Sequence, residues 1–349
     1  MRDFKIKSKY IFWALCCFLI FALPSIIYHP TAKGLREYAY LVGGVGLCYT
    51  TYNAVQSPRY SCYVKAVLYL LIIFSAIAAI KGIYQYEVLH IDRPKGAFIN
   101  PNVFATHMEI IIPVVIAIIL SKKSLYTKVA LSIVLFLLFG GLIVTLSRGA
   151  IVSLTFVILL MLLIEKNYKA LLLTCIPAGI AIVSRYDIVL SRIYSIFDLQ
   201  MRSNIERLNV FNSSIAIIKI NPLVGVGLEN FRRVYKKFMV PGAKDVVPHA
   251  HNIVLAYATE AGILTAIAFI VFVLLSGIYL FQHFPKISDK NHRLLVLGIS
   301  CGVLSLLIHG LVDYTLRRGS IIFVFMFLVG IGLGLINYYA ESAERDNRI

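Results

Sequence analysis

"PHAHNIVLAYATEAGILTAIAFIVFVLLSGIYLF", residues 248–281, enters on a proline, two histidines and an asparagine, then runs apolar from Ile253 to Phe281 with Glu260 its one charged residue. A helix needs roughly 20 apolar residues to cross the hydrocarbon core of a bilayer. This run is longer, so its first three turns are expected at the membrane interface and the rest across the membrane. Eleven residues separate His251 from Gly262, almost three helical turns, which predicts both on one helix face. A glycine there would admit a close neighbour, and the small residue would equally serve helix packing.

Working outward, the whole chain has this character. Its 349 residues are 59% hydrophobic and only 15% charged, with a mean hydropathy of +0.82. Those values exclude an ordinary soluble domain and predict an all-α polytopic membrane protein. Ten spans are expected, near 10–27, 38–54, 65–83, 103–120, 129–147, 150–164, 168–183, 253–281, 294–312 and 319–339. The second is the least apolar, because "YLVGGVGLCYTTY" is rich in glycine and hydroxyls. The basic start "MRDFKIKSK" before an apolar run would suit a signal peptide, but no small-residue cleavage site follows, and an uncleaved first helix is expected. The chain reads as one integral membrane domain, residues 1–349, with a large loop, 184–250, inserted between spans 7 and 8 and containing helices. Within it, residues 204–220 carry a helical pattern that Asn221-Pro222 ends.

Orientation follows from lysine and arginine in short loops. One set of loops holds 16 of them and the opposite set 8, which places both termini in the cytoplasm. The long loop, with ten basic residues against five acidic ones, then faces outward. More than half of the positive charge, 18 of 34 residues, thus lies on the non-cytoplasmic side, so nucleic acid is not the expected partner. An anionic ligand at the outer face and contact with lipid phosphates both remain. The six cysteines lie in or beside apolar segments without a pairing pattern and read as small buried hydrophobes.

Candidate chemistry gathers in a few places. His249, His251 and Asn252 stand at the entry of the long apolar run, either as helix-capping interfacial groups or as site residues. His-x-His supplies two metal ligands and no third sits at a recognised spacing, so no metal is expected. In "TLSRGAIVSL", Ser147, Arg148 and Gly149 read as a turn between two spans, with Arg148 either snorkelling to headgroups or pointing into a cavity. Arg207 in "SNIERLNVF" either pairs with Glu206 or serves a ligand. In "GAFINPNVFATHMEIIIP", Asn102 is the expected helix cap, and Glu109 lies deep enough to require a partner or a cavity. "GVGLEN", which includes Glu229, fails the dinucleotide pattern at its last position.

Taken together and in order, "LSRGA" at 146–150, "RLNVFN" at 207–212, "NPLVGVGLENF" at 221–231 and His251-Asn252, nine residues, then Gly262-x-x-Thr265 resemble the O-antigen ligase and polymerase superfamily. "FINPNVFA" at 98–105 adds to the likeness, which covers roughly residues 96–270. The resemblance implies a GT-C-type glycosyltransferase that needs neither nucleotide sugar, cofactor nor metal. It implies transfer of a glycan from undecaprenyl pyrophosphate to a lipid A-core or growing-glycan acceptor, at the periplasmic face of the bacterial inner membrane. By the same resemblance Arg148, Arg207 and His251 are the catalytic set. His249 and Asn252 match flanking positions of the motif, and with Asn102, Glu109 and Glu229 they are the expected substrate contacts. The chain is shorter, and has fewer expected spans, than O-antigen ligases commonly do. This length is neutral between ligase and repeat-unit polymerase and argues against the larger protein O-glycosyltransferases of related fold, while the histidine motif favours the ligase. A transporter of lipid-linked sugars is the reading from a different class, although neither paired repeats nor matched broken helices are evident.

Overall fold

The computed structural model of the chain describes residues 7–166, 179, 183, 186, 200–241, 243, 246–316 and 318–346. Among them are twelve α-helices and no strand. They are α1 (Ser8–Tyr28), α2 (Ala32–Gln56), α3 (Ser61–Glu87), α4 (Pro101–Ser121), α5 (Leu125–Val144) and α6 (Arg148–Glu165). After the segment around the expected seventh span, most of which lies outside the described residues, follow α7 (Arg202–Ile220), α8 (Phe231–Phe238), α9 (Ile253–Ala261), α10 (Ile263–His283), α11 (Lys290–His309) and α12 (Gly319–Asp346). Among the described residues eight helices, α1, α3, α4, α5, α6, α10, α11 and α12, are long and apolar enough to cross a membrane. The protein is therefore an all-α, multi-pass membrane protein. The glycine- and hydroxyl-rich second segment is helical in α2, but it is not among those eight.

The chain forms two compact units. The first comprises Met1–Tyr49, Phe197–Tyr279 and Gly310–Phe327. The second comprises Thr50–Ile196, Leu280–His309 and Leu328–Ile349.

In the first unit the long apolar run is two helices. The break falls at Gly262, whose φ of +90° suits glycine and whose position leaves no room for a side chain. A Cβ there would overlap the Leu223 carbonyl oxygen. Breaking a helix leaves carbonyls and amides without partners, which is costly away from water. The loop after α7 supplies them. Val226 and Gly227 donate N–H groups to the carbonyls of Thr259 and Glu260, both at 2.9 Å, and Ile263 donates to the Pro222 carbonyl at 2.7 Å. The buried Glu260 accepts the Glu229 N–H at 3.1 Å through Oε2, so this carboxylate holds the loop from within. The expectation that His251 and Gly262 share a helix face is corrected. α9 begins only at Ile253 and ends at Gly262, so the two residues flank the helix.

In the second unit α4 is enclosed, with its side chains from Val103 to Ile119 buried. α11 packs on it through a Gly298-x-x-x-Gly302 pair, a small-residue spacing that lets helix backbones approach in membranes. A Cβ at Gly302 would overlap the Ile110 carbonyl oxygen. The cap of α4 is Asn100, whose Oδ1 accepts the Val103 N–H at 2.9 Å, in place of the expected Asn102. Proline is favoured at the first helical position, so Pro101 makes the residue before it the cap. The reading of all cysteines as buried also needs correction: Cys48 and Cys301 are buried, whereas Cys16 and Cys62 lie at the protein surface. An apolar environment around a span permits that placement, since a lipid-facing thiol need not be packed against protein.

Candidate functional site

The entry to α9 is built by one asparagine. Asn252 accepts the N–H groups of Val254 and Leu255 through Oδ1, both at 2.9 Å, which caps the helix. Its Nδ2 donates to the Leu311 carbonyl at 3.0 Å, and the adjacent Ile253 N–H donates to the Gly310 carbonyl at 2.8 Å. These bonds clamp residues 252–253 to the segment between α11 and α12. Asn252, expected as a substrate contact, thus spends both ends of its amide on the fold.

The clamp brings together two residues that are 62 apart in the chain: His251 Nδ1 lies 3.2 Å from Asp313 Oδ1. Asp313 is the residue that sequence reasoning missed as a partner for the histidines, because only the folded loop sets it opposite them. Its carboxylate is buried and also accepts the Tyr314 N–H at 2.8 Å. His251 remains partly exposed, 23% of its side chain against 5% for Asp313. Its backbone has φ +50°, a region that non-glycine residues occupy only where the surroundings hold them. In the tautomer that donates Nδ1–H to Asp313, Nε2 keeps a lone pair able to accept a proton.

His249 completes the group. Its ring centroid is 4.3 Å from that of His251, its Nδ1 accepts the His251 N–H at 3.4 Å, and the same atom stands 3.9 Å from Asp313 Oδ1. Tyr314 lies edge-on to His249, with centroids 6.1 Å apart, and to Tyr257, at 5.7 Å. Burial holds the Tyr314 phenol well above its ordinary pKa, with the nearby Tyr257 and carboxylates adding to this, so it stays neutral beside the imidazoles. An aromatic column of Phe18, Tyr257 and Phe269 backs the site, with centroids 5.0 to 5.8 Å apart. The three donor atoms of His249, His251 and Asp313 lie within 4.8 Å of one another, close enough to hold a metal ion. The argument that His-x-His lacks a third ligand is therefore overturned by Asp313. Both histidine Nδ1 atoms are nevertheless already engaged in hydrogen bonds, as is Asp313 Oδ1, and that pattern fits a hydrogen-bonded His–Asp pair.

Arg207 belongs to the same unit, on α7, which packs against α9. Glu206 pairs with Arg202, one turn back, at 2.8 Å, and not with Arg207 as its neighbour status suggested. On a helix, residues four apart face one another whereas adjacent residues do not. Glu229, at φ +61°, gives its N–H to Glu260 and forms part of the loop that seals the α9–α10 break.

The other expected site residues belong to the second unit. Arg148 is the first residue of α6, after the Ser147 cap, and not part of a three-residue turn. Arg93, which the sequence reading did not single out, donates Nε–H to the Thr145 carbonyl at 3.2 Å and Nη2–H to Asn102 Oδ1 at 2.9 Å. It ties the α5–α6 connection, next to Arg148, to the start of α4. Glu109 lies fully inside the unit. Its Oε1 is 2.9 Å from His309 Nδ1, its Oε2 accepts the Ser153 hydroxyl at 2.9 Å, and Ser305 donates to Ser153 Oγ at 3.1 Å. Its carboxylate is thus enclosed by partners from α6 and α11. Ionisable groups are costly within a membrane unless paired, and this network pairs them.

Fold and site together define a multi-pass α-helical membrane protein with a buried aspartate behind a partly exposed histidine, at the mouth of a broken helix. A family model described as O-antigen ligase matches residues 133–270, so this segment of the chain is similar to that family. The family implies a ligase- or polymerase-type glycosyl transfer on lipid-linked glycans. The match contains Arg148, Arg207, His249, His251 and Asn252, while Asp313 lies beyond it. No curated protein matches the chain.

Proposed function

We propose that the protein is an O-antigen ligase, transferring a glycan from undecaprenyl pyrophosphate to a lipid A-core acceptor at the periplasmic face of the bacterial inner membrane. The observation that carries this reading is the His251–Asp313 contact of 3.2 Å within a family that acts on lipid-linked glycans. His251 is the general base. Its Nε2 takes the proton of the acceptor hydroxyl as that oxygen forms a bond to the anomeric carbon, and the bond from that carbon to the phosphate oxygen breaks. The electron pair leaves with undecaprenyl pyrophosphate, and a single displacement inverts the anomeric configuration. Asp313 keeps the Nδ1 proton in place and offsets the positive charge that develops on the imidazole. Arg207 and Arg148 are the candidate phosphate ligands. Guanidinium groups match phosphate oxygens in geometry and charge, and the leaving pyrophosphate needs charge stabilisation more than it needs an acid.

The test is a gel of surface glycolipids from a host lacking the gene, complemented with wild type, His251→Ala or Asp313→Asn. Restoration of a polymer ladder on lipid A-core by wild type alone, with lipid-linked polymer accumulating otherwise, supports a ligase. Core carrying a single repeat in the deleted strain would make the protein a repeat-unit polymerase. Full activity of correctly inserted His251→Ala would remove the base from the mechanism.

A further inference from the structure

The first unit holds a second polar feature that the transfer chemistry does not use. Helix α8, "FRRVYKKF", buries Phe231 and Tyr235 and exposes Arg232, Arg233, Lys236 and Lys237. Two like-charged pairs therefore stand four residues apart, Arg232 with Lys236 and Arg233 with Lys237. That spacing puts like charges side by side and weakens a short helix by itself. Arg233 and Lys237 line a cavity of about 290 Å³ together with His29, Asn221 and Asn230, and its other walls are apolar: Ile217, Ile220, Val226, Val234 and Phe238. Among the described residues lining it there is no carboxylate.

Its depth is set by His29, which directly follows α1, a 21-residue apolar span. A residue just past the end of a span lies at the level of the lipid headgroups. The cavity thus joins two cations and two amides to an apolar wall, at headgroup depth and at a volume near the small end of ligand pockets, roughly 300 Å³. We propose that this cavity binds the phosphate of an anionic membrane lipid, with Arg233 and Lys237 on the phosphate oxygens, Asn221 and Asn230 as hydrogen-bonding groups and the apolar wall against the first carbons of the lipid. The site is separate from the His251–Asp313 pair in its residues, and it does not depend on the transferase reading.

Native mass spectrometry of the full-length protein released from nanodiscs of equal phosphatidylcholine and phosphatidylglycerol tests this. Wild type is expected to retain phosphatidylglycerol in preference. Arg233→Ala with Lys237→Ala should lower that retention by about 100-fold, at about tenfold per charge-assisted hydrogen bond to the phosphate lost. Arg232→Ala with Lys236→Ala removes the same charge from the same helix, outside the cavity lining, and should lower the preference by about tenfold less than the first pair does, because neither side chain lines the site. Should the first double variant fail to insert, Lys237→Glu alone is expected to abolish the preference. Equal losses in both double variants, or no preference in wild type, would overturn the site. Displacement of the lipid by millimolar inorganic phosphate would overturn the lipid assignment in favour of a soluble phosphate ligand.

Discussion

At the scale of single residues, the chemistry rests on how His251 is held. A left-handed backbone at His251, an aspartate at Nδ1 and the Asn252 clamp beside it combine to hold the imidazole in place. His251→Ala should lower transfer about 10²- to 10⁴-fold, the range of a general base, in an assay with lipid-linked donor. Asp313→Asn should lose a large part of that factor, and Asp313→Glu should recover some of it, because the role is to orient and charge-balance the imidazole. Equal activity of Asp313→Asn and wild type would show that the contact has no part in transfer. The same three side chains bear on metal dependence. Since their Nδ1 and Oδ1 atoms are hydrogen-bonded to one another and to the backbone, transfer is expected to persist in excess EDTA. A loss restored by added zinc would instead make His249, His251 and Asp313 a metal centre.

At the scale of elements, the break between α9 and α10 places the site. It stops the helix after Ala261 and lets the loop at 222–227 seal the exposed backbone groups. Gly262→Ala combines an unfavourable φ of +90° with a clash against the Leu223 carbonyl, and should lower the thermal midpoint of the detergent-solubilised protein or abolish its accumulation. Asn252→Ala removes the cap and the clamp at once. A lost cap costs about 1 kcal/mol, and activity should fall more than stability does, because the clamp also sets Asp313 opposite His251. A variant with an unchanged midpoint and unchanged activity would show that the clamp does not position the pair.

At the scale of the whole molecule, the second unit depends on an ionisable network inside its helices. Removing one partner of a buried pair leaves the other uncompensated, at a cost of about 3 to 5 kcal/mol. Glu109→Ala should therefore reduce the amount of folded protein sharply, and Glu109→Gln, which keeps an acceptor for Ser153, should do so less. Measurement of folded protein by size-exclusion chromatography checks this, and equal yields of wild type and Glu109→Ala would mean that the network contributes little.

The sequence by itself determined the membrane class, the approximate places of the described spans, the helix that ends at Asn221-Pro222 and the histidine at the mouth of the long apolar run. Each follows from local properties: apolar length, periodicity, proline and a short motif. Only the tertiary structure decided that Asp313 stands behind His251, that Glu109 faces His309 and Ser153, that Glu206 turns to Arg202, and that Asn100 and not Asn102 caps α4. The first two pairings join residues 62 and 200 positions apart, and chain spacing carries no information about partners across such distances. The break at Gly262 belongs to both levels. A glycine permits the conformation, but the Leu223 backbone packed against it is what requires one.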